Sequence, residues 1–314
     1  MNALEKTYHV PVLLQESIEL LITNKDGIYL DATLGGGGHS AVILEKIHSA
    51  GRLFGLDQDD EALKEAGDRL GNDERFTAVK GNFGHFDVYL DQKLKGYLTG
   101  ILLDLGVSSH QIDEGNRGFS FQQDGPLDMR MGNLSGLTAE RVINEYELSE
   151  LKRIFFEYGE ERHSNAIAKK IIESRPIRTT FELKKAIRSI VSGKHENKTL
   201  ARIFQAVRIE VNRELEMLRN VLEKSVEWLA VDGRLVVISY HSLEDRLVKH
   251  YMRAGDFSGV IPKDFFGNDL SPFKLITRKP VEATEEEIKL NSRSRSARLR
   301  AVELKERGMA SDVR

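Results

Sequence analysis

Between Ile28 and Leu105 short apolar runs alternate with helical periodicities. One run ends at Asp31, and Gly51-Arg52-Leu53-Phe54-Gly55-Leu56-Asp57, Arg75-Phe76-Thr77-Ala78-Val79-Lys80 and Gly100-Ile101-Leu102-Leu103-Asp104-Leu105 follow it. Each is short and apolar enough for a buried strand. Residues 40–47 and 59–70 read as helices, the second with Ala62, Leu63, Ala66 and Leu70 at helical spacing behind an acidic first turn. Strands alternating with helices predict an α/β fold with a parallel sheet and right-handed crossovers.

The alternation stops at Gln111. From there to about residue 202 the pattern holds helical segments at 147–158, 164–174 and 180–192, the last with Thr180 placed as a cap before Phe181, Leu183, Ala186, Ile187 and Ile190. Residues 115–132, rich in glycine and polar groups around Phe119 and Phe121, read as a long ordered loop of the kind that carries function. Residues 203–229 carry one amphipathic pattern (Ile203, Val207, Val211, Leu215, Leu218, Leu222, Val226, Leu229), which predicts a single long helix returning to the sheet. Asp232-Gly233-Arg234 then turns into the strand Leu235-Val236-Val237-Ile238-Ser239, and residues 243–252 form a further helix. Residues 273–278 and 296–304 read as the arms of a terminal hairpin across the charged connection 279–295. Residues 307–314 are expected to fray. The organisation predicted is an α/β domain from 1–111 and 203–314, interrupted by a loop and helical domain at 112–202.

Asp31-Ala32-Thr33-Leu34-Gly35-Gly36-Gly37-Gly38-His39 joins the first strand to the first helix through four consecutive glycines. Without Cβ atoms this backbone can take positive φ and approach a ligand, while the helix behind it begins with unpartnered N–H groups. Asp57 ends the second strand about 20 residues on, where nucleotide-binding α/β folds receive ribose hydroxyls. Strand, glycines, helix, strand and acid in this order predict a nucleotide-type cofactor.

The chain of 314 residues is 40% hydrophobic and 30% charged, which suits a globular protein with a sizeable core. No window approaches about 18 uncharged apolar residues and residues 1–10 lack a secretory pattern, so a cytoplasmic protein without a membrane partner is expected. The chain has no cysteine, which excludes a thiolate nucleophile, cysteine-bound zinc and a cysteine-bound iron–sulfur cluster. The nine histidines are scattered without paired ligands, and no metal is expected. Net charge is −3, but residues 175–208 hold nine Lys/Arg (Arg175, Arg178, Lys184, Lys185, Arg188, Lys194, Lys198, Arg202, Arg208) against two acids. Arg293, Arg295, Arg298 and Arg300 form a second cluster without an acid between residues 291 and 301. These are either solvated basic faces or surfaces for a phosphate backbone, and their density points to the latter.

Seven strands, the fifth preceded by Asp232-Gly233-Arg234 and the last two in a hairpin, resemble the class I (Rossmann-like) S-adenosylmethionine-dependent methyltransferase fold. The local blocks are closer. His9-Val10-Pro11-Val12-Leu13, residues 35–40, Leu102-Leu103-Asp104-Leu105-Gly106-Val107-Ser108-Ser109, Arg117-Gly118-Phe119-Ser120-Phe121 and Asp124-Gly125-Pro126-Leu127-Asp128-Met129-Arg130-Met131 are five of them. Tyr158-Gly159-Glu160-Glu161-Arg162, Phe204-Gln205-Ala206-Val207-Arg208-Ile209 and His241-Ser242-Leu243-Glu244-Asp245-Arg246 complete the set. Over nearly the whole chain they resemble the bacterial small-subunit ribosomal RNA cytosine-N4 methyltransferase family, although the commonest class I pattern has glycine in place of Thr33. The resemblance implies S-adenosylmethionine as cofactor and small-subunit (16S) ribosomal RNA, naked or in the assembled subunit, as partner. It puts Gly37, Gly38 and His39 at the methionine end, Asp57 on the ribose, Phe83 on adenine, and Asp104 and Gln111 in the pocket after the fourth strand. The competing structural roles are a helix cap for Asp57, a core position for Phe83 and a solvated first turn for His39.

A methyl on a sulfonium is already activated, so alignment of donor and acceptor carries most of the rate. Cytosine N4 is a poor nucleophile because its lone pair is delocalised, and an acceptor for its N–H groups exposes that pair. Asp104 is the first candidate. Amino-methylating relatives often carry Asn/Asp-Pro-Pro-aromatic there, whereas this chain reads Asp104-Leu105-Gly106-Val107, so Asp128 and His241 stand as alternatives; Asp128 is equally placed to pair with Arg130. Methylation at cytosine C5 by the usual route needs a cysteine, so that chemistry is excluded. The base must leave its stack. Phe119 and Phe121 beside Arg117 are placed to hold it by stacking, and Lys184, Lys185, Arg188, Arg293 and Arg295 to hold the RNA backbone. A nicotinamide-dependent oxidoreductase is the enzymatic rival, opposed by the glycine spacing and the terminal hairpin. A non-catalytic RNA-binding protein on a degenerate methyltransferase fold is the other, opposed by the intact Gly37-Gly38, Asp57 and Asp104 set.

Overall fold

The computed structural model describes residues 11–132, 136–191 and 193–305. His9 and Val10 of the first block and the fraying expected at 307–314 lie outside the described residues. The chain divides into two compact units, Met1–Gly106 with Glu216–Arg314, and Val107–Leu215.

The first unit contains a seven-stranded sheet of β1 (Ile28–Asp31), β2 (Arg52–Asp57), β3 (Phe76–Lys80), β4 (Leu98–Asp104), β5 (Leu229–Ser239), β6 (Phe273–Leu275) and β7 (Arg298–Leu304). Their order is β3-β2-β1-β4-β5-β7-β6. β1 to β5 pair in parallel, and β7 runs antiparallel between β5 and β6. This is the strand order and terminal hairpin that the resemblance to class I methyltransferases implies. The helices are α1 (Leu14–Leu21), α2 (Gly38–Lys46), α3 (Asp60–Leu70), α4 (Phe86–Tyr89), α5 (Ser109–Asp113), α6 (Ala139–Glu145), α7 (Leu148–Glu157), α8 (Ser164–Glu173), α9 (Thr180–Arg188), α10 (Glu196–Asn212), α11 (Glu214–Trp228), α12 (Ser242–Ala254) and α13 (Glu285–Leu290). None of the helices among the described residues is long and apolar enough to cross a membrane.

Successive strand residues point to opposite faces of the sheet. Tyr29, Leu102 and Val236 pack with Ile18, Leu21, Ile43 and Leu44 on one face. Leu30, Leu103 and Val237 pack with Leu218, Leu222, Trp228, Val248 and Tyr251 on the other. Because both faces are covered, these strands read as continuous apolar runs, and each side chain fully removed from water adds about 1.5–3 kcal/mol. α1 is not among the elements that periodicity predicts, since it is one short helix whose buried positions include Ser17.

Residues 203–229 do not form the single helix expected. α10 ends at Asn212, Arg213 takes a left-handed φ of 52°, and α11 starts afresh at Glu214. The apolar period runs on across the break because one reversed residue leaves no mark in a hydrophobic pattern. Ile203, Phe204, Val207 and Val211 join Val142, Leu151, Phe155, Ile167, Ile171 and Leu183 in the core of the second unit. That unit therefore keeps α10, where a boundary at 202 assigns most of it to the α/β domain. The cap of α9 is Thr179 rather than Thr180, completed by Glu182 as a capping box, and the helix ends at Arg188. Thr180 instead donates its hydroxyl to the Gln123 carbonyl at 2.8 Å. The Asp232-Gly233 turn lies within β5, where Asp232 takes φ 62° and the register jumps from Leu98↔Leu229 to Gly100↔Arg234.

Candidate active site

In open α/β sheets ligands bind beyond the carboxyl ends of the strands, where the strand order reverses. Here that point lies between β1 and β4, and three carboxylates gather around it. Asp31 ends β1, Asp57 ends β2 and Asp104 ends β4. Asp31 is 1% exposed and accepts from Ser40 Oγ at 2.7 Å and from the Thr33 N–H at 3.3 Å. Burial pushes its carboxyl up to about 6 against the pull of those hydrogen bonds. Asp57 accepts from the Gly35 N–H at 2.8 Å through one oxygen and from the Asp59 N–H at 2.9 Å through the other. It too is raised by burial. Asp57 is not the cap of the next helix; Asp59 fills that role by accepting from the Glu61 N–H at 3.1 Å.

Asp104 is raised further than Asp31. Burial pushes its carboxyl up to about 7, the Tyr240 hydroxyl opposes the shift, and the charges of Asp31 and Glu244 add to it. The Tyr240 hydroxyl donates to Asp104 Oδ1 at 2.7 Å, and the Asp104 N–H donates to Thr33 Oγ1 at 2.6 Å. Oδ2 has no hydrogen bond among the described residues. Its neighbour is His39 Nδ1 at 3.8 Å, too far for one, and 22% of the Asp104 side chain remains accessible. A carboxylate with one oxygen tied and the other open is a fixed acceptor.

The glycine run shapes the floor beside it. Gly35 takes φ +51°, and a Cβ there would meet nothing within 4 Å, so the loop leaves open space at that position. At Gly37 and Gly38 the glycine has a different cause. A Cβ on Gly37 would come within 2.9 Å of Leu70 Cδ1, and one on Gly38 would collide with Pro11. Close packing against the Pro11 ring demands glycine at position 38, and a φ of +75° favours it at position 37, whether or not a ligand is bound. His39 lies in the first turn of α2 and is 6% exposed, so the solvated role does not hold. Burial pulls its imidazole down to about 4, which keeps it neutral at pH 7. Its Nε2 is buried without a hydrogen-bond partner in the described residues, an arrangement that normally waits for a ligand or water.

These residues fit S-adenosylmethionine. The three carboxylates suit a ligand carrying positive charge on sulfonium and ammonium groups, and each Asp57 oxygen retains a lone pair for a ribose hydroxyl. The start of α2 and the orphaned His39 nitrogen suit the polar methionine end. The same set disfavours a dinucleotide, whose pyrophosphate would bring negative charge to three raised carboxyls. Phe83 follows β3 in a short 3-10 turn fixed by Asn82, whose side chain accepts from the Gly84 N–H, and it packs half-buried against the core.

His241 is the N-cap of α12, with Nδ1 accepting from the Glu244 N–H at 3.4 Å. Glu244 completes the box by accepting from the N–H groups of Tyr240 and His241 at 2.9 and 3.3 Å. The structure thus makes this histidine a helix cap, with its Nε2 buried and without a hydrogen-bond partner among the described residues.

The remaining candidates fall in the second unit or on exposed turns. Gln111 is 7% exposed and accepts from the Ser108 N–H at 3.1 Å. Asp128 holds Arg130 in a bidentate pair at 2.8 and 2.7 Å. Burial raises its carboxyl, but the Arg130 hydrogen bonds and charge outweigh burial and hold it below the usual range. Asp128 is thus a bridge and a weak proton acceptor. Arg117 donates to the carbonyls of Arg130 and Met131 at 3.0 and 3.2 Å and lies 5.9 Å over the Phe119 ring. Phe119 and Phe121 pack half-buried on the helical core, Phe121 edge-on to Phe204 with centroids 5.5 Å apart. Lys184 donates to the Phe121 carbonyl at 2.9 Å, and Arg188 pairs with Glu196. Lys185 is exposed and has no hydrogen bond or ion pair with any described residue. In the second basic cluster Arg298 and Arg300 both bind Asp245, at 3.3 and 2.7 Å, while Arg295 is exposed and Arg293 half-buried.

Asp31 and Tyr240 are site residues that the motifs did not single out. Asp31 opens the glycine stretch, and its apolar neighbours made it look like a strand end. Tyr240 stands immediately before the His241 block, and nothing local distinguishes it from a core tyrosine.

A family model described as the MraW methylase family matches residues 6–305. The ribosomal RNA small subunit methyltransferase H of Bacteroides fragilis is 47% identical over 308 residues, covering 97% of this chain and 100% of that protein. Its namesake in Flavobacterium johnsoniae is 48% identical over 299 residues, 94% of this chain and 97% of the relative. The Clostridium botulinum protein of the same name is 46% identical over 301 residues, 93% and 97% of the two chains. Among solved structures, an rRNA methylase from Streptococcus thermophilus aligns with a TM-score of 0.40 and 13% identity over 93% of this chain and 94% of that chain. Matched by one family model along almost its whole length, and nearly half identical to relatives over almost all of both chains, this chain belongs to the MraW methylase family.

Proposed function

We infer that the protein transfers a methyl group from S-adenosylmethionine to the exocyclic N4 of a cytidine in small-subunit (16S) ribosomal RNA. The observation that carries this reading is Asp104, tied through Oδ1 to Tyr240 and open through Oδ2, at the switch point of a methyltransferase sheet. The names of the relatives supply the RNA. S-adenosylmethionine, when bound, supplies a methyl already activated on a sulfonium. Asp104 in its ionised form accepts an N–H of the cytosine amine, which localises the nitrogen lone pair for in-line attack. Tyr240 fixes the direction of that carboxylate. Asp57 holds the ribose hydroxyls, Phe83 flanks the adenine, and neutral His39 and the backbone of Gly37 and Gly38 contact the methionine end. Asp128 and His241 act as structural supports in this scheme.

The exposed Lys185 and Arg295 contact the RNA backbone, and Arg117, Phe119 and Phe121 offer the RNA a further surface on the second unit. Lys184 lies beside Lys185 on the same helix, and Arg293 lies beside Arg295. The protein works in the cytoplasm, where ribosomal subunits are assembled.

The test is methyl transfer from labelled S-adenosylmethionine to unmodified small subunits and to their extracted RNA, with the product nucleoside identified by mass spectrometry. N4-methylcytidine supports the reading, and the better substrate tells when in assembly the enzyme acts. Cofactor binding without transfer to either points to another acceptor, and no cofactor binding to the non-catalytic RNA-binding alternative.

A further inference from the structure

α12 and β6 are joined by a hairpin whose construction serves to hold two aromatic rings in solvent. Phe265 is 98% exposed and Phe266 85%. Their rings stand edge to face, centroids 5.6 Å apart and planes at 87°. The turn that carries them is tightly specified. Asp264 accepts from the N–H groups of Phe266 and Asn268 at 2.9 and 2.8 Å and from Asn268 Nδ2 at 2.7 Å. Its own N–H donates to the Asn268 carbonyl, Gly267 turns at φ +88°, and Lys263 bridges to Asp269 below the tip. The base is anchored too. Phe257 packs on Tyr251 at 5.1 Å under Arg219, and Ser271 and Phe273 are buried where the chain re-enters the sheet.

An aromatic pair this exposed on a turn this ordered is a contact surface. We propose that Phe265 and Phe266 form a stacking platform for unpaired bases of the RNA substrate, beyond the base that is methylated. The proposal rests on the RNA substrate inferred above. Size decides against a protein partner: two phenylalanines offer roughly 300–500 Å², whereas a stable protein interface takes about 800 Å² per partner. Val260 and Leu270 add exposed apolar area on the flanks, but the tip itself is ringed by the polar Lys263, Asp264, Asn268 and Asp269. Flat faces in a polar collar suit a base, which stacks without regard to sequence.

Wild type, the double variant Phe265→Ala with Phe266→Ala, and Phe265→Trp are compared for binding to extracted small-subunit RNA and to assembled small subunits, and for self-association. The double variant is expected to bind roughly tenfold more weakly, with unchanged S-adenosylmethionine affinity and unchanged salt dependence, because no charge is lost. The indole introduced by Phe265→Trp is expected to be quenched by RNA, while the buried Trp228 does not respond. Unchanged RNA affinity with an unquenched indole overturns the proposal. A loss confined to assembled subunits also overturns it and assigns the tip to a ribosomal protein. A variant that changes only the protein's self-association assigns the tip to a second copy and overturns it as well. Methyl transfer by wild type in the same samples is scored separately: RNA binding through the tip without transfer overturns the proposed reaction and leaves the platform standing.

Discussion

At the scale of the residue, the acceptor role proposed for Asp104 ties activity to stability. Its carboxyl is pushed up to about 7 by burial, and the Tyr240 hydroxyl is the interaction that opposes the shift. Tyr240→Phe keeps the ring and removes that hydrogen bond. The midpoint of the rising limb of the kcat–pH profile is therefore expected to move upward and kcat at pH 7 to fall about tenfold, while cofactor affinity stays constant. A role limited to packing would lower the melting temperature and leave the midpoint in place. The linkage has a definite sign. A carboxyl that titrates near 7 in the fold and near 4 when unfolded keeps its proton longer in the native state, so stability falls as pH rises across that window. Asp104→Asn removes this penalty. It is expected to abolish most activity yet stabilise the protein by about 1–3 kcal/mol at pH 8, with no gain at pH 4, as read by urea unfolding at both values. His39, held neutral down to about 4, works in the opposite sense and destabilises the fold as pH falls below its ordinary range.

At the scale of the element, α2 ties the glycine loop to the sheet, and its first turn tolerates no side chain at Gly38. Gly38→Ala would press a methyl into Pro11. Overpacking of this kind costs about 1–3 kcal/mol, and the loss is expected in the urea midpoint even without ligand. A purely ligand-contacting glycine would weaken cofactor binding and leave that midpoint alone. The apolar runs of β1, β4 and β5 were legible because both faces of the sheet are covered. The break between α10 and α11 was not, since Arg213 reverses the backbone at φ 52° without altering the spacing of buried residues.

At the scale of the whole molecule, the basic run of the sequence overstates the free positive charge. Arg175 donates to the carbonyls of Ile143 and Tyr146, Arg188 pairs with Glu196, Arg202 with Glu161 and Arg208 with Glu214. Lys185 remains exposed. Lys185→Glu is expected to weaken RNA binding and reduce the slope of log Kd against log salt by about 1, with the fold intact. Filter binding over a salt series checks it, and an unchanged slope refutes a phosphate contact there. Arg188→Glu is a poorer probe, because it sets two carboxylates against each other within the helical unit.

The sequence by itself determined the strand, glycine, helix, strand, acid succession, the terminal hairpin and the absence of thiol chemistry. Period, chain conformation and residue type are local properties, and a single chain states them. Tertiary structure decided the rest. It carried Tyr240 across 136 residues to Asp104, brought Asp245 under Arg298 and Arg300, buried His39 where a first helical turn offered a solvated role, and buried Asp31 beside it at the end of β1. Burial, dielectric surroundings and long-range partners set which charges are free and which carboxyls titrate near neutrality. Those are properties of the space around a side chain, and residues distant in the chain fill that space.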